Sequence, residues 1–254
     1  MNWSYEATRG ERGIGRSLPY AAVRKLTILI AALALAVTGC GDDKKDSRDS
    51  SGGDKTAGAT PVGPNTTPQS SNGCKTVAAP KAKPDGNAKK PKLKLDNGTP
   101  YHLRVNTSCG TFTILLDQAQ SPNAAASLVS LARRKFFDGT TFHRIVPDFV
   151  IQGGDPTGTG TGGPGYTTRD KPPADASYTK GVVAMAKAGN EPAGAAGSQF
   201  YVVTGADTGL PPDYAIVGKV EDGQNVVDKI GQLGGPDEKP TQPVVINSIE
   251  VQEG

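Results

Sequence analysis

From residue 101 onward, apolar and polar side chains alternate in short runs separated by Gly, Pro, Asn and Asp, the period of strands rather than helices. Runs at 101–105 and 111–116 flank a turn at 106–110 and predict a hairpin. Further strands are predicted at 141–145, 149–152, 182–186, 200–204, 215–220 and 244–251. Two segments break the alternation. The alanine-rich stretch from Ser121-Pro122 to Arg134 predicts a helix with Ser121 as N-cap and Pro122 at its first position, and 224–230 predicts a second. Many short strands with two helices predict a mainly β domain over 97–254 whose sheet is closed or sandwiched.

The first third has a different pattern. An apolar run at 26–37, interrupted only by Thr27, follows Arg16, Arg24 and Lys25 and ends at Gly39-Cys40. It is too short for a comfortable bilayer-spanning helix, which needs about 20 residues, and it reads as a signal peptide over 1–39. The segment resembles a bacterial lipobox, which implies cleavage before Cys40 and lipidation of that cysteine. An uncleaved membrane anchor is the other reading, and both place the rest outside the cytoplasm. Residues 40–96 are Gly, Ser, Asp, Lys, Pro and Thr with few apolar side chains, and read as a disordered tether reaching roughly 40 Å.

Charge sharpens the division. Lys and Arg number five against two acids in 1–40, eleven against seven in 41–96, and twelve against sixteen in 97–254. The folded part is therefore acidic, which argues against nucleic acid as a partner. With Cys40 lipidated, Cys74 and Cys109 remain as an even pair for an oxidising compartment, although spacing alone leaves a disulfide open. His102 and His143 are the only histidines and form no cluster of metal-ligand spacing, so neither metal nor cofactor is expected.

Candidate chemistry lies in residues 142–155, F-H-R-I-V-P-D-F-V-I-Q-G-G-D, and in 197–201, G-S-Q-F-Y. The first resembles the active-site signature of the cyclophilins, the cyclosporin-binding peptidyl-prolyl isomerases, and the second resembles another block of that family. The resemblance covers about 99–251. It implies an eight-stranded antiparallel barrel capped by two helices, and an enzyme that speeds rotation about X-Pro bonds. Arg144 would be the catalytic cation, since a guanidinium is permanently charged and offers a rigid fork of donors. Gln152 would bind the substrate backbone. Matching residue by residue, Phe149, Val150, Tyr201 and Leu210 would form the apolar recess for the proline ring, and Tyr214 would be a further substrate-binding residue. Ala186, Lys187 and Ala188 would present backbone to the peptide, with Gln199 and Gly160 beside them.

This chain departs from the family at several of these positions. Lys187 replaces a common asparagine, so specificity is expected to change more than activity. Tyr214 stands for a histidine and Gly209 for the tryptophan that hydrogen-bonds cyclosporin, so weak cyclosporin binding is expected. Asp148 stands for a glycine and would weaken the pocket if it pointed inward, and Tyr201 stands for a phenylalanine.

Three bland readings stand beside these. Phe142 and Phe200 read as core and His143 as structural. The G-x-G-x-x-G at 160–165 lacks the following helix that a dinucleotide fingerprint requires, and reads as a flexible groove wall. The partners expected are proline-containing segments of unfolded or exposed exported proteins, with the membrane held through Cys40. A non-catalytic proline-peptide-binding or chaperone module of the cell envelope is the alternative. A closed barrel leaves few edges for association, so a monomer is expected.

Overall fold

The structure is a computed structural model that describes residues 73–254. The expected signal peptide, Cys40 and the start of the tether lie outside the described residues.

Eight strands close into an antiparallel barrel: β1 (Tyr101–Thr107), β2 (Gly110–Leu116), β3 (Thr140–Val146), β4 (Val150–Asp155), β6 (Val182–Met185), β8 (Phe200–Val203), β9 (Ile216–Asp222) and β10 (Val245–Glu253). Their order around the barrel is β1-β10-β3-β4-β8-β6-β9-β2. Two further short strands, β5 (Thr168–Arg169) and β7 (Ala195–Ala196), pair with each other outside it, where the sequence reads as loop. Alternation fills the interior. Phe142 and Phe200 meet edge to face at 6.1 Å, and Phe137 and Phe112 pack against them. Each such ring, fully buried, stabilises the fold by roughly 1.5–3 kcal/mol.

Helix α1 (Pro122–Arg133) packs against β10, and α2 (Gln224–Gly231) against β2 and β4. Pro122 occupies the first turn as expected, but the Ser121 hydroxyl does not cap the helix; it donates to Ile216 O at 2.6 Å. The cap comes from Asp170, whose carboxylate accepts from the Ala124 N–H and the Asn123 side chain, both at 2.7 Å. A carboxylate here also meets the positive end of the helix dipole. Gly223 precedes α2 at φ +77°, where a Cβ would lie 2.6 Å from Thr111 O.

Residues 73–96 correct the expectation of a tether that is disordered up to residue 96. They run along the barrel as irregular chain. Cys74 and Cys109, 35 residues apart, are joined by a disulfide that fixes one end to the β1–β2 turn, a closure worth about 4 kcal/mol on chain-entropy grounds. Lys83 fixes the middle. Its ammonium donates to Lys135 O, Phe136 O and Asp138 O just beyond the C-terminal end of α1, and lies 5.8 Å from the Phe136 ring centre. Carbonyls converging in the turn after the helix, near the negative end of its dipole, are a natural seat for a cation. Backbone bonds from Lys83 N to Pro156 O, Gly86 N to Gly163 O and Ala88 N to Pro164 O complete the strap. Composition signals disorder because apolar side chains are few; here a covalent bond and main-chain pairing take their place. The seven lysines and two aspartates of 73–96 also offset the acidic excess of 97–254.

Candidate active site

Directly opposite residues on neighbouring strands share a face of the sheet. Register therefore builds a lateral row across four strands: Arg144 on β3 faces Gln152 on β4, Gln152 faces Tyr201 on β8, and Tyr201 faces Ala184 on β6. Strands lie about 4.8 Å apart, so residues far apart in sequence form one line on the outer barrel wall. Val150 and Val203, opposite each other on β4 and β8, add a second rung on the same face.

An apolar cluster grows on this face. It holds Val150, Tyr178, Ala184, Tyr201 and Val203, with Phe149, Ala186, Leu210 and Tyr214 packed against it half-buried. The four residues expected to form the proline recess are thus brought together, with Tyr214 beside them. Tyr178 joins them without a sequence signal of its own. Its hydroxyl donates to Tyr214 O at 2.8 Å and accepts from Tyr214 N at 3.0 Å, clamping the loop that presents Tyr214. Tyr178, Tyr201 and Tyr214 pack with ring centres 5.8–6.5 Å apart. The Tyr201 hydroxyl is buried with no hydrogen-bond partner. Burial first, then the neighbouring Tyr178 and Tyr214, raises its pKa far above the usual phenol value.

Beside the recess runs a groove of about 610 Å³, lined among others by Gln152, Gly160, Ala186, Ala188 and Gln199. The Gln152 amide donates to Gln199 Oε1 at 2.9 Å, and Gln199 donates to Gly160 O and Gly162 O at 3.0 and 2.8 Å. The two glutamines thereby link strand β4 to the glycine-rich wall. That wall is organised by Asp155 and differs from the loose loop that its composition suggests. Asp155 accepts from Thr157 N and Oγ1, Gly160 N and Gly162 N. Burial alone would raise the Asp155 pKa, but these four bonds outweigh it and hold the carboxyl below its usual range. Gly162 is obligatory, since a Cβ would lie 2.3 Å from Asp155 Oδ1. His143 sits against this loop with both ring nitrogens buried and unpartnered, and burial lowers its pKa.

Arg144 is partly exposed. Its Nε donates to Glu238 Oε2 at 2.7 Å, while Ile145 N donates to Glu238 O at 2.7 Å. Its terminal Nη nitrogens make no hydrogen bond among the described residues and remain available to a substrate. Glu238 carries no sequence signal, because only the turn at 234–240 folding back on β3 brings it here.

At Lys187, where the backbone is expected to matter and the substitution to change specificity more than activity, the side chain is engaged by its own neighbours. Its side chain is 3 % exposed, pairs with Asp213 at 2.6 Å and lies 5.5 Å from the Tyr214 ring centre. Its ammonium also donates to Glu191 O at 3.1 Å. Lys187 thus ties the groove wall to the recess loop. Asp148 is exposed at φ +54°, so it does not enter the pocket.

Comparison with known proteins agrees with this geometry. Residues 102–251 match the family described as cyclophilin type peptidyl-prolyl cis-trans isomerase/CLD. A probable peptidyl-prolyl cis-trans isomerase A of Mycobacterium leprae is 37 % identical over 166 residues, covering 58 % of this chain and 90 % of the relative. The human peptidyl-prolyl cis-trans isomerase-like 1 is 37 % identical over 142 residues, covering 54 % and 84 %. The crystal structure of a Cryptosporidium parvum cyclophilin type isomerase superposes with a TM-score of 0.57 at 29 % identity, covering 61 % of this chain and 99 % of that one. A second structure of that protein, in the presence of the dipeptide Ala-Pro, gives 0.56 at 30 %. The strap at 73–96 lies outside the matched residues. With the closed barrel and the matched residues agreeing, the chain belongs to the cyclophilin-type peptidyl-prolyl cis-trans isomerases.

Proposed function

We propose that this isomerase works outside the cytoplasm, anchored through a lipidated Cys40, and speeds the folding of exported proteins by rotating their X-Pro bonds with Arg144 as the electrostatic catalyst. The observation that carries the catalytic part is the row Arg144, Gln152, Tyr201 bordering the apolar recess. Amide resonance sets a barrier of about 18–20 kcal/mol for X-Pro rotation. A catalyst lowers it by binding the twisted state better than either planar one. An acceleration of about 10⁵ requires roughly 7 kcal/mol of such selectivity.

In this mechanism the proline ring enters the recess formed by Phe149, Val150, Tyr201, Leu210 and Tyr214. The Gln152 amide holds the peptide backbone. As the C–N bond twists, the prolyl nitrogen regains a lone pair and an Arg144 Nη donates to it, an interaction absent from the planar states. Neither metal nor cofactor takes part in this scheme. The Ala186 N–H is already used by Gln199 O, so the backbone of Lys187 offers the main-chain contact to the bound strand.

The compartment is supported by the run ending at Gly39-Cys40 and by the Cys74–Cys109 disulfide, a bond that persists in oxidising surroundings. Weak cyclosporin binding follows from Gly209, which has no side chain and stands at φ +62°. The cis-to-trans rate of an Ala-Pro test peptide with the chain and its folded Arg144→Ala variant tests the catalyst. A fall of at least tenfold is expected, and an unchanged rate would remove Arg144 from the mechanism. Incorporation of labelled fatty acid that is lost in Cys40→Ser tests the anchor; equal labelling of both would remove it.

A further inference from the structure

Part of the groove is built by residues outside the region matched to the family. Asp85 and Gly86 of the strap line it together with Gly163 and Gly165. The contact is close: a Cβ on Gly165 would lie 2.4 Å from Gly86 O, so two glycine backbones meet there. Backbone bonds from Gly86 and Ala88 to Gly163 O and Pro164 O, and the Asp85 carboxylate accepting from Gly163 N at 2.7 Å, hold strap and loop together. The same loop offers the Gly160 and Gly162 carbonyls to Gln199, which in turn holds Gln152. The strap is thus connected to the peptide-binding glutamine through a chain of hydrogen bonds.

The charges in this groove are uneven. Its charged lining residues are Asp85, Lys187 and Glu191. Lys187 is spent on Asp213, its side chain almost wholly buried. Asp85 uses one oxygen on Gly163 N, and Glu191 uses one on Ala188 N. Each carboxylate keeps an oxygen for something else. Lys90 also contacts the loop, through Thr167 O, but is not among the lining residues.

We propose that strap residues 83–88 are a working wall of the substrate site, and that Asp85 with Glu191 makes the groove select peptides carrying a basic residue near the proline. This rests on the isomerase reading of the groove. A peptide lying from the recess into the groove runs along a wall that holds both carboxylates. Lysine or arginine at a flanking position gains attraction from the carboxylate it meets, and glutamate meets repulsion.

The test uses the full chain and Ala-Pro peptides in which Lys, Gln or Glu is placed in turn at each of the three positions on either side of the proline. Affinity is read by calorimetry and kcat/KM by isomerisation rate. At one or more positions, Lys is expected to exceed Glu by about tenfold in both readouts at low salt. The ratio should fall towards one at 1 M salt, where the screening length is about 3 Å. Asp85→Asn and Glu191→Gln keep an acceptor for the backbone N–H that each carboxylate holds, and each should reduce the ratio. Charge-blind binding at every position, or a ratio unmoved by both substitutions, overturns the inference while leaving the isomerase intact. Selective binding of the Lys peptides without acceleration of any peptide would uphold the selective wall and defeat the isomerase reading instead.

Discussion

Arg144 donates its Nε to Glu238, which reaches it from the far side of the sequence by way of the 234–240 turn. The bond fixes one edge of the guanidinium and leaves the Nη edge without a hydrogen bond among the described residues. Replacing Glu238 by Ala should lower kcat/KM about three- to tenfold with KM little changed, because orientation of the transition-state donor is lost and the recess is not. Arg144 lowers the Glu238 pKa through that hydrogen bond and its charge. The pair should therefore persist as pH falls through the ordinary carboxylate range, and the acid limb attributable to it should lie below pH 4.5. Kinetics of both proteins across pH 4–8 check this; a variant with parental kinetics would show that Glu238 positions nothing.

Tyr201 carries a hydroxyl that is buried and unpartnered. Such a group costs about 1–3 kcal/mol, so Tyr201→Phe should stabilise the protein by about 1 kcal/mol and raise Tm by a few degrees. Calorimetric melting decides it. A lower Tm would mean that the hydroxyl has a partner in solution.

Asp148 holds a left-handed conformation that glycine adopts without strain. Asp148→Gly should leave the recess unchanged and add up to about 1 kcal/mol of stability. The gain is expected to be small because aspartate tolerates this conformation better than most residues and glycine is freer when unfolded. Denaturant unfolding of the two proteins measures it, and a destabilised glycine variant would contradict the strain argument.

His143 and Asp155 separate two pH windows. The folded-state pKa of His143 is depressed by burial, so its neutral form is the one the fold accepts. For this histidine the unfolded chain takes up protons first, and stability should begin to fall as pH drops below the ordinary value of 6.5. Asp155 also has a depressed pKa, but as a carboxylate its contribution is complete above the ordinary 3.8 and is lost as pH falls through the lower folded value. Unfolding free energies at pH 7.5 and 5.0 should therefore differ in the parent, and differ less in His143→Met. Equal slopes in the two proteins would assign the loss to other groups.

The disulfide makes a further expectation. Cys74→Ser should increase hydrogen exchange at the Gly86, Ala88 and Gly163 amides, with the barrel strands β1 and β2 protected as before. Unchanged exchange at those amides would mean that Lys83 and the backbone pairs hold the strap without the covalent bond.

All eight barrel strands and both helices were legible as alternating or apolar runs bounded by turn residues, whereas β5 and β7, two residues each, are too short to leave a pattern. Residues 142–155 and 197–201 singled out Arg144, Phe149, Val150, Gln152, Gln199 and Tyr201 as candidates, and Leu210 and Tyr214 were reached only by matching on beyond those blocks. What escaped depends on distant partners with no local mark. Asp170 caps a helix that begins at Pro122, and its neighbourhood reads as loop. Glu238, Tyr178 and Asp213 become part of the site only through turns that fold back on it. The strap escaped for a different reason: disorder is read from scarce apolar side chains, and neither a disulfide nor an ammonium among three carbonyls changes that composition. Asp155 ends the run at 142–155, yet its four acceptor bonds are a property of the folded loop.

Strand β10 lies between β1 and β3, so the seam of the barrel is sealed by a segment that begins at Val245. A chain emerging in order from synthesis can form the β1–β2 and β3–β4 hairpins early. Until that segment is free, β1 and β3 keep open edges, the kind on which strands of other chains add. The strand that carries Arg144 is one of the two left waiting. A peptidyl-prolyl isomerase would thus itself pass through a stage, late in its own emergence, in which the strand bearing Arg144 is exposed to the hazard that open edges bring.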